Sequence, residues 1–331
     1  MNNGSRPLLK RLLIFSVLIL AFGIGLALGW GLKGYMTEQK AVEYREGQYG
    51  FINPLLECEG SEELISRELS SFRDKLEELV QQEVEAKRIN FASVYFRDLN
   101  NGPWIGINEK EPFLPGSLLK IPVMIGYFKK AESDPSILSK KIAYDRDIPI
   151  SGQFIRPAIR LERGKEYTVE ELIYRMIVYS DNEAAYFLQL HDREDLYGRT
   201  YTDLGIPVPD GLHEYRINVK KYASFFRILF NASYLTKEMS NKALGLLSKA
   251  DFDEGLVAGV PPGVPTAQKF GESKSPDNQK QFHDCGIIYY PNHPYLLCVM
   301  TKGNAYEKLA PAIRDISRST FEEVDRQMHS K

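Results

Sequence analysis

Cysteine is scarce in this chain of 331 residues, at three, and the count is odd. No His/Cys spacing of the kind that holds zinc occurs, so neither a metal site nor a cofactor is expected. Outside the short N-terminal segment there is no Lys/Arg-rich run, and the formal net charge is −2, which argues against a nucleic-acid partner. Internal repeats and low-complexity tracts are also missing, which excludes a repeat architecture. Hydrophobic residues at 43% and charged residues at 26% are the proportions of an ordinary globular protein.

One stretch departs from that average. From Leu12 to Leu32 no residue carries a charge, and these 21 residues would span the hydrocarbon core of a bilayer as a helix. Arg6, Lys10 and Arg11 precede the run and predict a cytoplasmic N-terminus, while Trp30 and Tyr35 suit the far interface. The run exceeds the apolar part of a cleaved signal, and Ala27-Leu28-Gly29 is a poor cleavage site. The expectation is a cytoplasmic tail (1–11), an uncleaved transmembrane anchor (12–32), a stalk (33–60) and an extracytoplasmic domain (61–331). That organisation would make it a single-pass protein of the cell membrane.

Within that domain, Leu64, Leu69, Phe72, Leu76 and Leu79 form a stripe that predicts a helix reaching about Arg88. Asn90–Leu99 and Trp104–Ile107 read as a hairpin around Asn100-Asn101-Gly102-Pro103. Pro115-Gly116 breaks the chain before a helix opening near Ser117. Thr168–Leu190 is helical apart from Tyr179-Ser180-Asp181, and Val219–Phe230 and Thr236–Ser248 are further helices. Ala267–Gly271, Cys285–Tyr290 and Tyr295–Thr301 are strand candidates, and Tyr306–Met328 is a last amphipathic helix. Strands at both ends with helices between them predict an α+β domain, its mainly antiparallel sheet backed by the terminal helices. Cys285 and Cys298 fall on neighbouring strands around Pro291-Asn292. They are taken as buried thiols, with a cross-strand disulfide as the alternative, and Cys58 lies in the stalk.

Three short motifs carry chemistry. Ser117-Leu118-Leu119-Lys120 places a hydroxyl and an amine one helical turn apart on one face. A serine hydroxyl is a poor nucleophile until a base takes its proton. Lys120 can be that base only if burial and a neighbouring cation, for which Lys269 is the candidate, lower its pKa. Leu118, Leu119, Ile121, Val123, Met124 and Ile125 make this helix apolar almost all round, so Lys120 is expected to be partly buried. The backbone N–H of Ser117, at a helix start, is a candidate oxyanion donor. In Ser180-Asp181-Asn182 the Ser180 hydroxyl is a candidate proton relay, Asn182 a candidate ligand for a substrate amide carbonyl, and Asp181 a brace. The plainer reading of this tripeptide is a helix cap. In Lys269-Phe270-Gly271, Lys269 brings positive charge, Gly271 allows close backbone approach, and the N–H of Glu272 is the second oxyanion donor.

The order and contexts of these motifs resemble those of the penicillin-recognising serine hydrolases, in their class A β-lactamase-like branch, from about Glu62 to Gln327. The resemblance implies a sheet domain with an inserted all-helical subdomain and an acyl-enzyme at Ser117. It implies Lys120 as acylation base or its partner, and Ser180, Asn182 and Lys269 as substrate and relay groups. The substrate would be a β-lactam or a peptide or amide of the cell envelope. Two features depart from the family. The interval from Ser180 to Lys269 is short, and no Glu-x-x-Leu-Asn motif supplies a deacylating glutamate, leaving Glu214 as the nearest substitute. Phe270 also stands where the family carries a hydroxyl that meets the substrate carboxylate. Acylation is therefore expected to outrun hydrolysis. The competing reading is a non-catalytic envelope-binding module on the same fold.

Overall fold

A computed structural model of the chain describes residues 15–25, 42–45, 49–59, 69–100, 102–146, 148, 153–157, 159–209 and 215–329. Of the expected membrane span, residues 15–25 are helical with exposed apolar side chains, and the remainder lies outside the described residues. Among the described residues no helix is long and apolar enough to cross a membrane. Glu214 and the start of the first predicted domain helix also lie outside the described residues.

The domain opens with α1 (Ser70–Glu85), followed by strands β1 (Phe91–Asp98), β2 (Trp104–Ile107) and the short β3 (Pro112–Phe113). A 3-10 turn, Gly116–Leu119, leads into α2 (Lys120–Ala131). Then come α3 (Ser136–Ser139), β4 (Lys141–Ala143), β5 (Glu166–Thr168), α4 (Val169–Val178), α5 (Asn182–Leu190) and α6 (Leu196–Asp203). After β6 (Ile217–Asn218), α7 (Val219–Phe230) and α8 (Lys237–Leu247), the chain closes with β7 (Thr266–Lys274), β8 (Lys280–Ile288), β9 (Tyr295–Gly303) and α9 (Tyr306–His329).

The main sheet has the order β2-β1-β9-β8-β7, antiparallel throughout. This is the expected α+β arrangement. Alternation along the strands assigns each side chain to one of two cores. Val94, Phe96, Leu297 and Val299 pack with α1 and α9 on one face. Tyr95, Leu296, Cys298 and Met300 join the core of the helical insertion on the other. β8 sets Cys285 directly opposite Cys298, and the two form a disulfide, which corrects the expectation of free thiols. A register one residue different would have sent them to opposite faces. β7 is an edge strand, and the chemistry is assembled along it.

Candidate active site

Ser117 lies in the 3-10 turn, not in the first turn of an α-helix, which begins only at Lys120. Pro122 contributes to this geometry. It has no N–H to offer the carbonyl of Leu118 four residues back, and that carbonyl instead accepts the buried Tyr222 hydroxyl at 3.0 Å. The turn is pressed against β7 by two glycines. Gly116 has φ +55°, and a Cβ there would lie 2.1 Å from the Glu272 carbonyl oxygen and 3.1 Å from its nitrogen. A Cβ on Gly271 would lie 2.5 Å from the Pro115 carbonyl oxygen and 2.9 Å from the Leu118 nitrogen. Gly271 thus permits a close backbone approach, but to the serine turn. The Glu272 peptide consequently lies beside that turn. Polar side chains of β8 anchor Leu114, two residues before the turn: Gln281 accepts from Leu114 N–H at 2.9 Å, and His283 Nε2 lies 2.9 Å from the Leu114 oxygen.

Lys120 Nζ lies 3.0 Å from Ser117 Oγ, 3.1 Å from Ser180 Oγ, 2.5 Å from the Ser180 carbonyl oxygen and 2.6 Å from Asn182 Oδ1. Lys269 Nζ reaches Ser180 Oγ from the other side at 2.8 Å and also donates to the Phe270 carbonyl at 3.0 Å. The three motifs therefore meet in one place. Ser180 is fully buried with φ +53°, a backbone region costly for a residue with a Cβ and often found at functional sites. This conformation accompanies a carbonyl and a hydroxyl that both face Lys120. Asp181 caps α5, its Oδ1 accepting from Glu183 N–H at 2.8 Å and Ala184 N–H at 3.1 Å, so the tripeptide is a helix cap as well as part of the cluster.

Both lysines are almost wholly buried, at 5% exposure for Lys120 and 1% for Lys269. Burial, and next the charge of Lys269, hold the Lys120 amine well below its ordinary pKa, against the opposing pull of Asp181 and Glu272. Burial brings Lys269 down to about 7, opposed by Asp284 and Glu272. Ser117 itself is only partly buried.

The Phe270 ring turns into the core but still borders the site, its centroid 4.2 Å from Lys269 Nζ. It is 3% exposed and packs with Phe252 and Phe282, at centroid distances of 4.4 and 5.9 Å, in the core beneath α1 and α9. Three participants were not foreseen. The Glu272 side chain accepts the N–H groups of Phe154 and Ile155 at 2.8 and 3.1 Å. Gln153 Nε2 donates to the Ser180 carbonyl at 3.2 Å. Asp284 is fully buried within the field of Lys269, accepts Leu256 N–H at 2.9 Å, and has its carboxyl pushed up to about 7 by burial. Among the described residues no carboxylate is hydrogen-bonded to Ser117 or Lys120, and no group of His, Cys, Asp and Glu is placed to hold a metal.

Solved structures share the fold. PBP-A, as a mutant acyl-enzyme complex with penicillin G, matches with a TM-score of 0.65 at 19% identity, covering 78% of this chain and 97% of that one. A β-lactamase from Chitinophaga pinensis matches with a TM-score of 0.66 at 18% identity, covering 77% of this chain and 100% of its own. The class A β-lactamase from Mycobacterium abscessus gives 0.63 at 19% identity, covering 76% and 99%. No curated protein matches the sequence significantly. The profile of the β-lactamase enzyme family matches residues 72–324, most of the chain and every residue of the serine–lysine cluster, and the chain belongs to that family.

Proposed function

We propose that this protein is a membrane-anchored serine hydrolase that forms an acyl-enzyme at Ser117 on β-lactams or on peptide or amide substrates of the cell envelope. The observation that carries the reading is the position of Lys120 Nζ, 3.0 Å from Ser117 Oγ and 3.1 Å from Ser180 Oγ, with its pKa depressed by burial and by Lys269. A neutral amine has two N–H donors and one lone pair. The two shortest contacts, to the Ser180 carbonyl and to Asn182 Oδ1, take the donors, and the lone pair is left for the Ser117 proton.

The reaction then runs in balanced steps. Lys120 takes the Ser117 proton as Oγ bonds to the substrate carbonyl carbon. The resulting oxyanion is met by the backbone N–H groups of Ser117 and Glu272. As the carbon–nitrogen bond breaks, Lys120 returns the proton through the Ser180 hydroxyl to the leaving nitrogen, with Lys269 holding Ser180 from behind. Asn182 and the adjoining β7 edge seat the acyl side. Water hydrolyses the ester afterwards. Among the described residues no carboxylate is bonded to the Ser117–Lys120 pair, and the sequence has no Glu-x-x-Leu-Asn motif, so that second step is expected to lack the general-base assistance typically worth about 100- to 10,000-fold and the acyl-enzyme to accumulate.

Intact-mass measurement tests this. Incubation with a penicillin in excess, or with a neutral thioester, is expected to add one acyl group that maps to Ser117, persists for many minutes and is missing in Ser117→Ala. No adduct from either reagent overturns the reading.

The anchor rests on the uncharged run 12–32 and on Arg6, Lys10 and Arg11 before it. The full-length protein is expected in the carbonate-resistant membrane fraction, and a chain beginning at residue 61 in the soluble one. Full release of the intact protein by carbonate contradicts the anchor.

A further inference from the structure

Glu272 carries two features into the site. Its peptide lies against the serine turn, close enough that no Cβ fits on Gly116. Its side chain ties down a neighbouring segment: Oε1 accepts from Phe154 N–H and Ile155 N–H, and Oε2 accepts from Ile155 N–H at 3.3 Å. Gln153 holds the Ser180 carbonyl, and the Phe154 ring stacks on Tyr306 at 4.9 Å, whose hydroxyl donates to the Ser273 carbonyl at 2.8 Å. Residues 153–155 thus connect the Ser180 wall to the β7 wall, with the Glu272 carboxylate as one tie.

That carboxylate is poorly compensated. Among the described residues no Arg or Lys forms an ion pair with it. The two cations whose field it feels are Lys120 and Lys269, and both are held below their ordinary pKa, Lys269 at about 7. Lys269 loses its positive charge as pH rises through about 7, while burial raises the Glu272 carboxyl against the opposing pull of the Ile155 and Phe154 N–H groups and the two lysines.

Covalent geometry bounds the distances. A carbonyl carbon attacked by Ser117, with its oxygen on the Glu272 N–H, sits within hydrogen-bond reach of that nitrogen, and the Glu272 carboxylate is three bonds beyond its own Cα. A carboxylate on the leaving group, one or two bonds past the scissile bond, therefore lies within about 10 Å of Glu272, no more than a Debye length away, in a partly buried site where salt screens poorly.

We infer that Glu272 is a specificity-determining residue that directs the Ser117 site to acyl donors whose leaving side carries no carboxylate. This rests on the acyl-transfer reading above. The donor class is then an amide or ester with a neutral or cationic leaving side, such as an amidated peptide. Reagents with an acid beside the scissile bond, penicillins included, acylate slowly.

Two thioesters with one N-acyl-alanyl group test the inference, one releasing thioglycolate and the other its neutral amide, thioglycolamide. In each, the acyl carbon transfers from sulfur to Ser117 Oγ, and the thiol leaves with the serine proton. The acylation rate constant is read by release of thiol, in the wild type, Glu272→Gln and Glu272→Ala, each first checked for a cooperative thermal transition. The wild type is expected to prefer the amide at least tenfold. Glu272→Gln retains an oxygen for the Phe154 and Ile155 N–H groups and deletes only the charge, and the preference is expected to fall at least fivefold. A wild-type preference for thioglycolate, or a ratio that Glu272→Gln leaves unchanged, overturns the inference. So does a loss confined to Glu272→Ala and equal for both thioesters, because Glu272 is then a tether alone. If a penicillin acylates the wild type and neither thioester does, the inference falls alone; if none of the three acylates it, the acyl-transfer reading fails and the inference falls with it.

Discussion

Lys120→Ala is expected to lower the rate constant for acylation of Ser117 by about 100- to 10,000-fold, the range associated with removal of a positioned general base. Lys120 is the side chain whose nitrogen touches all three of Ser117, Ser180 and Asn182, so in the proposed mechanism both the acceptor of the serine proton and the path to the leaving group disappear together. Substrate affinity should change much less, because Asn182, Lys269 and the β7 edge remain. The loss is therefore expected in the acylation step at saturating reagent, read by stopped-flow or by timed quenching and mass measurement. The pH profile gives an independent readout. In the proposed mechanism the active form of Lys120 is the free amine, so wild-type acylation should rise as pH climbs through its depressed pKa, well below the ordinary 10.5. That limb should vanish in Lys120→Ala. Lys120→Met, which keeps the volume of the buried chain, separates loss of the amine from loss of packing and should be impaired to the same degree. A rate within threefold of wild type in either variant means that another group activates Ser117.

Much of this site is legible in the sequence because its parts are short and local. Ser117 and Lys120 are one turn apart whether that turn is α or 3-10, so the change in helix type left their contact intact. The break at Ser180 was visible between two apolar helical stretches, and Asp181 is an N-cap residue by chemistry alone. What stayed hidden depends on long-range partners. Lys280–Asp284 is polar and carries no strand pattern. It nevertheless forms the first half of β8, because Gln281, His283 and Asp284 find buried backbone partners at Leu114 and Leu256. Nothing local announces that Gln153 reaches Ser180, 27 positions away, or that Tyr222 reaches Leu118. Phe270 stands where a substrate contact was expected, but the alternation of β7 turns its ring into the opposite core, where it meets the site only through Lys269 Nζ, a matter of register that a tripeptide does not reveal. The disulfide had the same cause. Two cysteines on adjacent strands bond only if the pairing sets them directly opposite, as it does for Cys285 and Cys298.

Stability against denaturant is expected to rise between about pH 7 and pH 10, where many proteins have passed their optimum, and Lys269→Met should remove much of the rise. The sign follows from proton counts. In the folded protein Lys269 loses its proton at about 7, and in the unfolded chain near the ordinary 10.5. Between those values the unfolded chain holds one more proton, so raising the pH favours the fold by about 1 kcal/mol per pH unit at the steepest. Lys120, depressed in the same direction, adds to the slope within its own interval. Below that window the sign reverses. Asp284 is raised from 3.8 to about 7, so from pH 4 to 7 the folded protein retains a proton that the unfolded chain has released, and stability falls as pH rises. Above pH 10 the buried Tyr201, Tyr222 and Tyr295 and the partly buried Tyr289 act likewise, since burial raises their pKa and unfolding releases their protons. These groups together place a shallow minimum near neutrality and a maximum on the alkaline side. Urea midpoints of the wild type and Lys269→Met at pH 5.5, 7, 8.5 and 10 would trace it. Removing Lys269 also leaves Asp284 without its cation, which should hold the Asp284 proton to higher pH and shift the minimum upward. A wild-type midpoint that is flat or falling from pH 7 to 10 would mean that the two buried lysines keep their protons in the folded state, and Lys120 would then have no lone pair to offer Ser117.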